Sequence, residues 1–379
     1  MPWQEVSTMQ LRSEFVRLVE QGSAVRPLCR RFGISPTTAY KWLGRYRQGT
    51  DLADQSRRPN QSPARTAAPI EATILALRAE RPAWGARKLR RRLMALGHAM
   101  PSASTVHAIL QRHGCISPAA SETATPFTRF EHAAPNDLWQ MDFKGHVAMR
   151  ASRCHPLTVL DDHSRFSLCL AACADESLMT VRTHLVATFR HYGLPQRMTM
   201  DNGSPWGNDH HSFTTLDVWL MKQGIRVSHS RPYHPQTQGK DERFHRTLHV
   251  EVLQGRVHDD LAHAQRDFDA WRDVYNQERP HEALGMAVPS SRYRASTREY
   301  RERPPAPEYA DPRRVRRVTD GGHLYWRGHV YRVGKAFIGE PVEVRATRDE
   351  HCLDVYWSTT RIAQLDVIEH TSTSGRRLP

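Results

Sequence analysis

Residues 139–143, Trp139-Gln140-Met141-Asp142-Phe143, set an apolar side chain at every second position with a polar one between. Alternate strand positions face opposite sides of a sheet, so this run predicts a half-buried strand with Trp139, Met141 and Phe143 in a core and Asp142 on the other face. The reading extends outward on both sides. Residues 157–160 and 166–170 are apolar runs joined by Asp161-Asp162-His163-Ser164, and together they predict a hairpin in which the aspartates serve the turn. A helix is expected over 178–192, stopped by Gly193-Leu194-Pro195, and a short strand over 198–201 ends at Asn202-Gly203. Asp201 shares its face with Thr199, away from Met198 and Met200. A helix near 216–223, a strand near 225–228 and the loop 233–240 follow, and then a helix with Phe244, Leu248 and Val252 on one stripe. At about 100° per residue, Glu242 lies roughly 200° from Phe244 and points away from that stripe.

Asp142, Asp201 and Glu242 therefore stand at the end of one strand, the end of another and the start of a helix, 59 and then 41 residues apart. Carboxylates that converge repel one another and shift upward in pKa unless cations share the site, and all-oxygen ligands select Mg2+ or Mn2+ over zinc. Two such ions about 3.5–4 Å apart stabilise both the entering and the leaving oxygen at phosphorus. With 40 acidic residues in the chain, the spacing of three of them decides little, and their flanks carry the argument.

Those flanks are Trp139-Gln140-Met141-Asp142-Phe143, Asp201-Asn202-Gly203, and the run 231–244, RPYHPQTQGKDERF. They resemble the three acidic motifs of DDE transposases and retroviral integrases, and are most similar to bacterial insertion-sequence transposases that carry an integrase core. The resemblance covers residues 136–295. It implies an α/β RNase H-like core in which Asp142, Asp201 and Glu242 are the catalytic, metal-binding triad for two Mg2+ (or Mn2+) ions. It also implies that the loop before Glu242 lies close to DNA ends. Lys240 and Arg243 flank Glu242 and suit contact with the DNA backbone, since a phosphate-handling site needs nearby cations. His245 and His249 follow on the face of Glu242. The adjacent His210-His211 reads as loop. The gap from Asp201 to Glu242 is a few residues longer than in typical integrases, with 206–212 as the candidate insertion, and nothing before Asp142 matches a His/Cys zinc module. The run 279–285, RPHEALG, is also familiar at the end of integrase cores; it follows a helix with Leu261, Ala264, Phe268, Trp271 and Tyr275 inward.

The chain has 379 residues and a formal charge of +14, and residues 1–114 hold 19 Lys and Arg against 7 Asp and Glu. The remaining 265 residues keep a surplus of only 2, so the basic excess is local and predicts a nucleic-acid-binding front end. Residues 1–50 read as a helix-turn-helix domain. Leu11, Phe15 and Leu18, then Val25, Leu28, Cys29 and Phe32, mark two short amphipathic helices. Gly33-Ile34-Ser35-Pro36 ends one helix and starts the next. On that third helix Ala39, Leu43 and Tyr46 are expected inward, leaving Thr37, Thr38, Lys41 and Arg45 to face a major groove. Residues 69–114 repeat the logic. Ile70, Ile74 and Leu77 precede a helix with Leu89, Leu93 and Leu96 inside and Arg87, Lys88, Arg90, Arg91 and Arg92 around it, and Val106, Ile109 and Leu110 mark the last helix. Arg87, Arg90 and Arg91 are the expected DNA contacts there. The polar segment 51–68 is a linker whose Arg57 and Arg58 suit a minor groove or a plain tether, and 115–135 is a second linker.

After a basic linker at 296–315, residues 316–370 predict a hairpin over 324–333 around Arg327-Gly328 and strands near 341–344 and 353–357, read as a small C-terminal β-barrel. The organisation is thus multidomain: tandem all-α helix-turn-helix domains, an α/β core and a β-barrel. Six cysteines without a CxxC pair argue against a disulfide framework or a cysteine zinc site, no run is long enough to span a bilayer, and no secretory signal opens the chain. A cytoplasmic, nucleoid-associated bacterial protein is expected. The resemblance implies a transposase that acts on double-stranded DNA, its element's terminal inverted repeats and a target, as a synaptic homodimer or tetramer. The alternatives are a non-catalytic, transposase-derived DNA-binding regulator and a plain RNase H-type nuclease.

Overall fold

The computed structural model describes residues 7–54, 65–116, 131–150, 152–207, 212–229 and 239–374. They fall into two compact units, Met1–Arg65 and Thr66–Pro379. Arg57, Arg58, His210, His211 and the loop 231–238 lie outside the described residues.

The first unit packs α1 (Thr8–Glu20), α2 (Val25–Phe32) and α3 (Pro36–Arg47) into a three-helix bundle. Ser7 and Gln10 form a reciprocal capping box on α1, Gly33 ends α2 at φ 62°, and Ser35 caps α3 with Pro36 in its first turn. The core is Phe15, Val16, Leu28, Cys29, Ala39, Trp42, Leu43 and Leu52. Tyr46, expected inside, is 52% exposed, and Trp42 fills the space instead. Ala39, Trp42 and Leu43 are the i, i+3, i+4 stripe, and the Arg12 guanidinium covers the outer side of Trp42 at 3.9 Å while donating to Leu52 O and Asp54.

The second unit opens with another three-helix bundle: α4 (Ala68–Glu80), α5 (Ala86–Ala95) and α6 (Ala103–Arg112). Its core is Ile74, Trp84, Leu89, Leu93, Val106, Ile109 and Leu110, and Leu96, expected inside, caps α5 at 54% exposure.

The α/β core follows, with β1 (Trp139–Phe143), β2 (Val147–Ala148), β3 (Arg153–Asp161), β4 (Ser167–Cys173), α7 (Leu178–Tyr192), β5 (Arg197–Met200), α8 (Thr215–Lys222), β6 (Arg226–His229), α9 (Gly239–Leu248), a π-helical turn His249–Leu253 and α10 (Leu261–Gln277). The sheet runs β2-β3-β1-β5-β6 with β4 also on β3. β3 is antiparallel to β1 and β4, whereas β5 is parallel to β1 and β6. β1 is not half-buried as its alternation suggests. Helices cover both faces: Trp139, Met141 and Phe143 meet α7 and α8 residues, and Phe244, Leu248, Phe268, Trp271 and Tyr275 of α9 and α10 close the other face. Gln140 is therefore buried as well, and only Asp142, at the strand's end, meets solvent on that side.

Residues past the core run back along it. Tyr293 stacks on Phe166 at 4.4 Å, and the Arg298 guanidinium donates to Gly224 O at 2.8 Å. The C-terminal strands are β7 (Val315–Arg317), β8 (His323–Trp326), β9 (His329–Arg332), β10 (Pro341–Ala346), β11 (Cys352–Trp357), β12 (Thr360–Asp366) and β13 (Thr371–Ser374). They form an open antiparallel sheet, β13-β12-β11-β10-β7, and a separate β8-β9 hairpin. This corrects the expected barrel. Among the described residues no pairing joins β7 to β13, and closure is replaced by packing: the hairpin and sheet share a core with Val218 of α8, Val342, Val344, Val355 and Trp357.

Candidate active site

The register of the parallel pair β1 and β5 brings two of the three carboxylates together. Trp139 stands opposite Met198 and Gln140 opposite Thr199, an offset of 59 that, continued past the strand ends, sets Asp142 level with Asp201. Burial, then the Asp201 carboxylate, push Asp142 up to about 7; Glu176 and Glu242 add smaller pushes, and the Phe143 backbone N–H opposes them. Burial raises Asp201 too, against the Gly203 N–H, which donates to its Oδ1 at 3.0 Å, and the neighbouring His229. Glycine suits position 203 because a Cβ there would stand 3.1 Å from Asp201 Oδ2.

Asp142 is braced through its backbone. Thr158, opposite it on β3, donates its hydroxyl proton to Asp142 O at 2.9 Å, so the His245 Nε2 at 2.9 Å donates to the Thr158 oxygen. That fixes the tautomer of His245. Its Nδ1 is left as an acceptor 3.9 Å from Asp142 Oδ2, and burial together with Lys144 pushes the imidazole down to about 4. Glu242 lies on the first turn of α9 and is exposed, within electrostatic reach of Asp142. The residue before it, Asp241, is 1% exposed, and neither of its carboxyl oxygens has a hydrogen-bond partner. Burial, with Asp142 and Asp162 nearby, holds its pKa well above the usual carboxylate range. Among the described residues no group of three or more His, Cys, Asp or Glu side chains stands in metal-holding arrangement. The structure thus levels Asp142 with Asp201 and leaves Glu242 on the adjoining helix.

Asp161 serves the β3–β4 turn, as its sequence context suggests, whereas the Asp162 carboxylate bonds to residues outside the turn. Asp161 accepts from Ser164 N, Ser164 Oγ and Asn136 N at 2.5–2.8 Å. Asp162 accepts from His132 N, Gln140 Nε2 and the Lys240 ammonium, so Lys240 is half-buried and held by the core while Arg243 is exposed. Glu176, Thr158, His229 and Asp217 were not legible as site residues, because no local motif marks them and only strand pairing places them near Asp142 and Asp201.

The basic candidates divide. On α3, Thr37 and Lys41 are exposed, whereas Thr38 shares a hydrogen bond with Ser35 and Arg45 donates to Ala53 O at 2.9 Å and lies over Trp42. On α5 the Arg87 side chain is exposed. Arg90 donates to Pro101 O, Arg91 to Met286 O, and Arg92 pairs with Glu278 at 2.9 Å. Lys88 is pushed down to about 8 by burial and Arg279. The following helix, α6, presents Ser104, His107 and Gln111 to solvent.

A parallel-and-antiparallel sheet that levels two half-buried aspartates, with a third carboxylate on a covering helix, defines an integrase-type core. Family comparison agrees: integrase core domain models match residues 132–235 and 223–289. A helix-turn-helix domain matches 11–60, a homeodomain-like domain 38–110, and an IS481 family transposase C-terminal domain 313–373. The chain is thus similar to insertion-sequence transposases with an RNase H-like integrase core. An uncharacterised 31.7 kDa protein of insertion element IS407 from Burkholderia multivorans is 29% identical over 157 residues, 41% of this chain and 55% of that one. An uncharacterised 39.2 kDa protein of insertion element IS476 from Xanthomonas euvesicatoria is 31% identical over 166 residues, 43% of this chain and 46% of that one. The chain therefore spans about half the length of the curated relatives it matches. Among solved structures, an HTLV-2 integrase catalytic core domain in complex with magnesium is 13% identical with a TM-score of 0.32, covering 43% of this chain and 99% of that one.

Proposed function

We propose that the chain is a DNA transposase that binds the terminal inverted repeats of its own element through the helix-turn-helix domains and then cuts and joins phosphodiesters at Asp142, Asp201 and Glu242. The observation that carries this reading is the levelling of Asp142 with Asp201 in an integrase core that follows two DNA-binding bundles. An all-carboxylate donor set in which burial raises both aspartates, and Asp201 adds to the rise of Asp142, fits a divalent cation such as Mg2+ or Mn2+. Two ions held by Asp142, Asp201 and Glu242 would neutralise charge on the entering and leaving oxygens. The protein's own work is to hold these carboxylates level, to keep His245 neutral with an acceptor nitrogen toward Asp142, and to grip the duplex through Thr37, Lys41, Arg87 and Arg243. Two DNA ends must react together, which calls for a homodimer or tetramer. No helix among the described residues is long and apolar enough to cross a membrane, in keeping with work on DNA in the bacterial cytoplasm and nucleoid.

The test is strand joining with end oligonucleotides in Mg2+. Asp142→Asn, Asp201→Asn and Glu242→Gln are each expected to abolish cleavage and joining while leaving binding of the ends intact. Joining at the wild-type rate by all three variants would remove the enzyme reading and leave a DNA-binding protein.

A further inference from the structure

We propose that His229, itself held by Asp217, is a positioning residue that fixes the main chain of Asp201 and so places the Asp201 carboxylate for metal binding. The inference rests on the reading of Asp201 as a metal ligand. β5 and β6 run parallel with Met200 opposite His229 as their last pair. Asp201 is the next residue, past the end of the ladder, and its carbonyl needs a partner that the sheet does not supply. His229 supplies it: Nδ1 lies 2.6 Å from Asp201 O, and Nε2 lies 3.1 Å from Asp217 Oδ1. A carbonyl oxygen only accepts, so Nδ1 carries a proton and donates it there. The other nitrogen faces a carboxylate, and the two groups hold a proton between them.

This arrangement is buried and anchored. The Asp217 side chain is fully buried and that of His229 is 4% exposed. Asp217 Oδ2 accepts from Thr214 N at 2.7 Å, and Thr214 Oγ1 accepts from Asp217 N at 3.2 Å, the capping box that starts α8. A continuous polar chain therefore runs from the N-cap of α8 through Asp217 and His229 to Asp201. β6 does not require it for pairing with β5, because backbone hydrogen bonds and the 2.6 Å contact between Thr199 and Ser228 hydroxyls already tie the strands. A buried ionisable pair is expensive, and apolar side chains of similar volume would hold two strands at least as well. What apolar side chains would not do is hold the Asp201 carbonyl, and with it the tight turn in which Gly203 N–H takes the carboxylate.

The experiment titrates Mn2+ into the full chain without DNA, by calorimetry, for wild type, His229→Ala, His229→Asn, Asp217→Asn and Asp201→Asn, with thermal melts in EDTA alongside. Partners behind a metal ligand typically govern affinity by about 10–100-fold, so His229→Ala and Asp217→Asn should each weaken Mn2+ at least tenfold. His229→Asn should recover most of the loss, because its amide nitrogen can take the place of Nδ1 toward Asp201 O. The effects of His229→Ala and Asp217→Asn should also fail to add in the double variant. Wild-type Mn2+ affinity in folded His229→Ala overturns the proposal. So does a His229→Asn variant that melts like wild type yet binds as poorly as the alanine variant. If His229→Ala does not fold, His229→Asn and Asp217→Asn decide. Unchanged affinity in Asp201→Asn instead strikes the metal-ligand reading itself, and this inference falls with it.

Discussion

Asp142 is a residue whose ordinary chemistry has been altered by its position. Its pKa moves from 3.8 to about 7, first because it is buried and next because Asp201 stands level with it. A raised acid holds its proton more tightly in the folded state, so the protein gains proton affinity on folding. The resulting penalty is absent below about pH 4, grows through the interval to pH 7 and is complete above it. In EDTA at pH 8, Asp142→Asn should therefore stabilise the chain by about 2 kcal/mol, a figure that allows for partial water contact of the side chain, and at pH 4 the gain should vanish. Thermal melts at the two pH values check this, and a gain independent of pH would count against a raised Asp142. Mg2+ should reverse the order at pH 8, raising the melting temperature of the wild type and not of Asp142→Asn. The residue scale is also where the sequence was most informative about the site. Asp142 and Asp201 stand out by their flanks, and their separation of 59 equals the β1–β5 register offset. Thr158, His229 and Asp217 do not stand out, since a threonine, a histidine and an N3 aspartate are ordinary in strands and helix starts, and their meaning comes only from which strand lies beside which.

At the scale of elements, α9 sets where Glu242 stands. One stripe of the helix, Phe244 and Leu248, enters a core with Trp271 and Tyr275, whose rings lie 5.4 and 4.9 Å from Phe244. Glu242 is consequently turned out, as its angle on the helical wheel suggests. The π-helical turn after α9 buries Glu251 to receive Trp271 Nε1 at 2.8 Å and Arg279 Nε at 3.0 Å, a second anchor for the same helix. Phe244→Ala removes the aromatic anchor and should cost about 3–5 kcal/mol. Phe244→Leu should cost less and keep more joining activity, a ranking that urea unfolding and the joining assay can check together. Equal loss of activity in the two variants would mean that packing of α9 does not govern the placement of Glu242. Elements also show where sequence reasoning fell short. Apolar periodicity located α7 and the β3–β4 hairpin well, because those segments are long or punctuated by Gly, Pro and Asp. It misjudged Tyr46, since a short terminal helix turn has nothing packed over it, and it missed β12 and β13. Sheet closure depends on pairing between distant edges, and strand patterns carry no record of it, so the C-terminal barrel was inferred where an open sheet stands.

On the scale of the whole chain, basic residues have two destinations. In the second unit, α5 turns much of its charge inward to its own unit: Arg92 meets Glu278, Arg91 meets Met286 O, and Val274 of α10 packs against the bundle core. A count of arginines on that helix therefore overstates what it offers DNA, and α6 is the helix whose polar face stays open. The first unit, with its own core, is different. Residues 1–65 carry eleven Lys and Arg against five Asp and Glu, and α3 leaves Thr37 and Lys41 exposed. Each phosphate contact releases counterions and adds about 0.9 to the slope of log affinity against log salt on duplex DNA. A chain limited to residues 66–379 keeps both aspartates and their bracing, so its Mn2+ affinity should match that of the full chain. Its binding of end DNA should weaken at every salt concentration and its salt slope should fall by about 3, the share of roughly three lost phosphate contacts. Lys41→Ala in the full chain should remove about one of these units. Fluorescence anisotropy across a salt series reads both numbers. An unchanged slope in the shortened chain would place the DNA grip in the second unit, on α6 and the exposed cations near α9, and would leave the first bundle a different task.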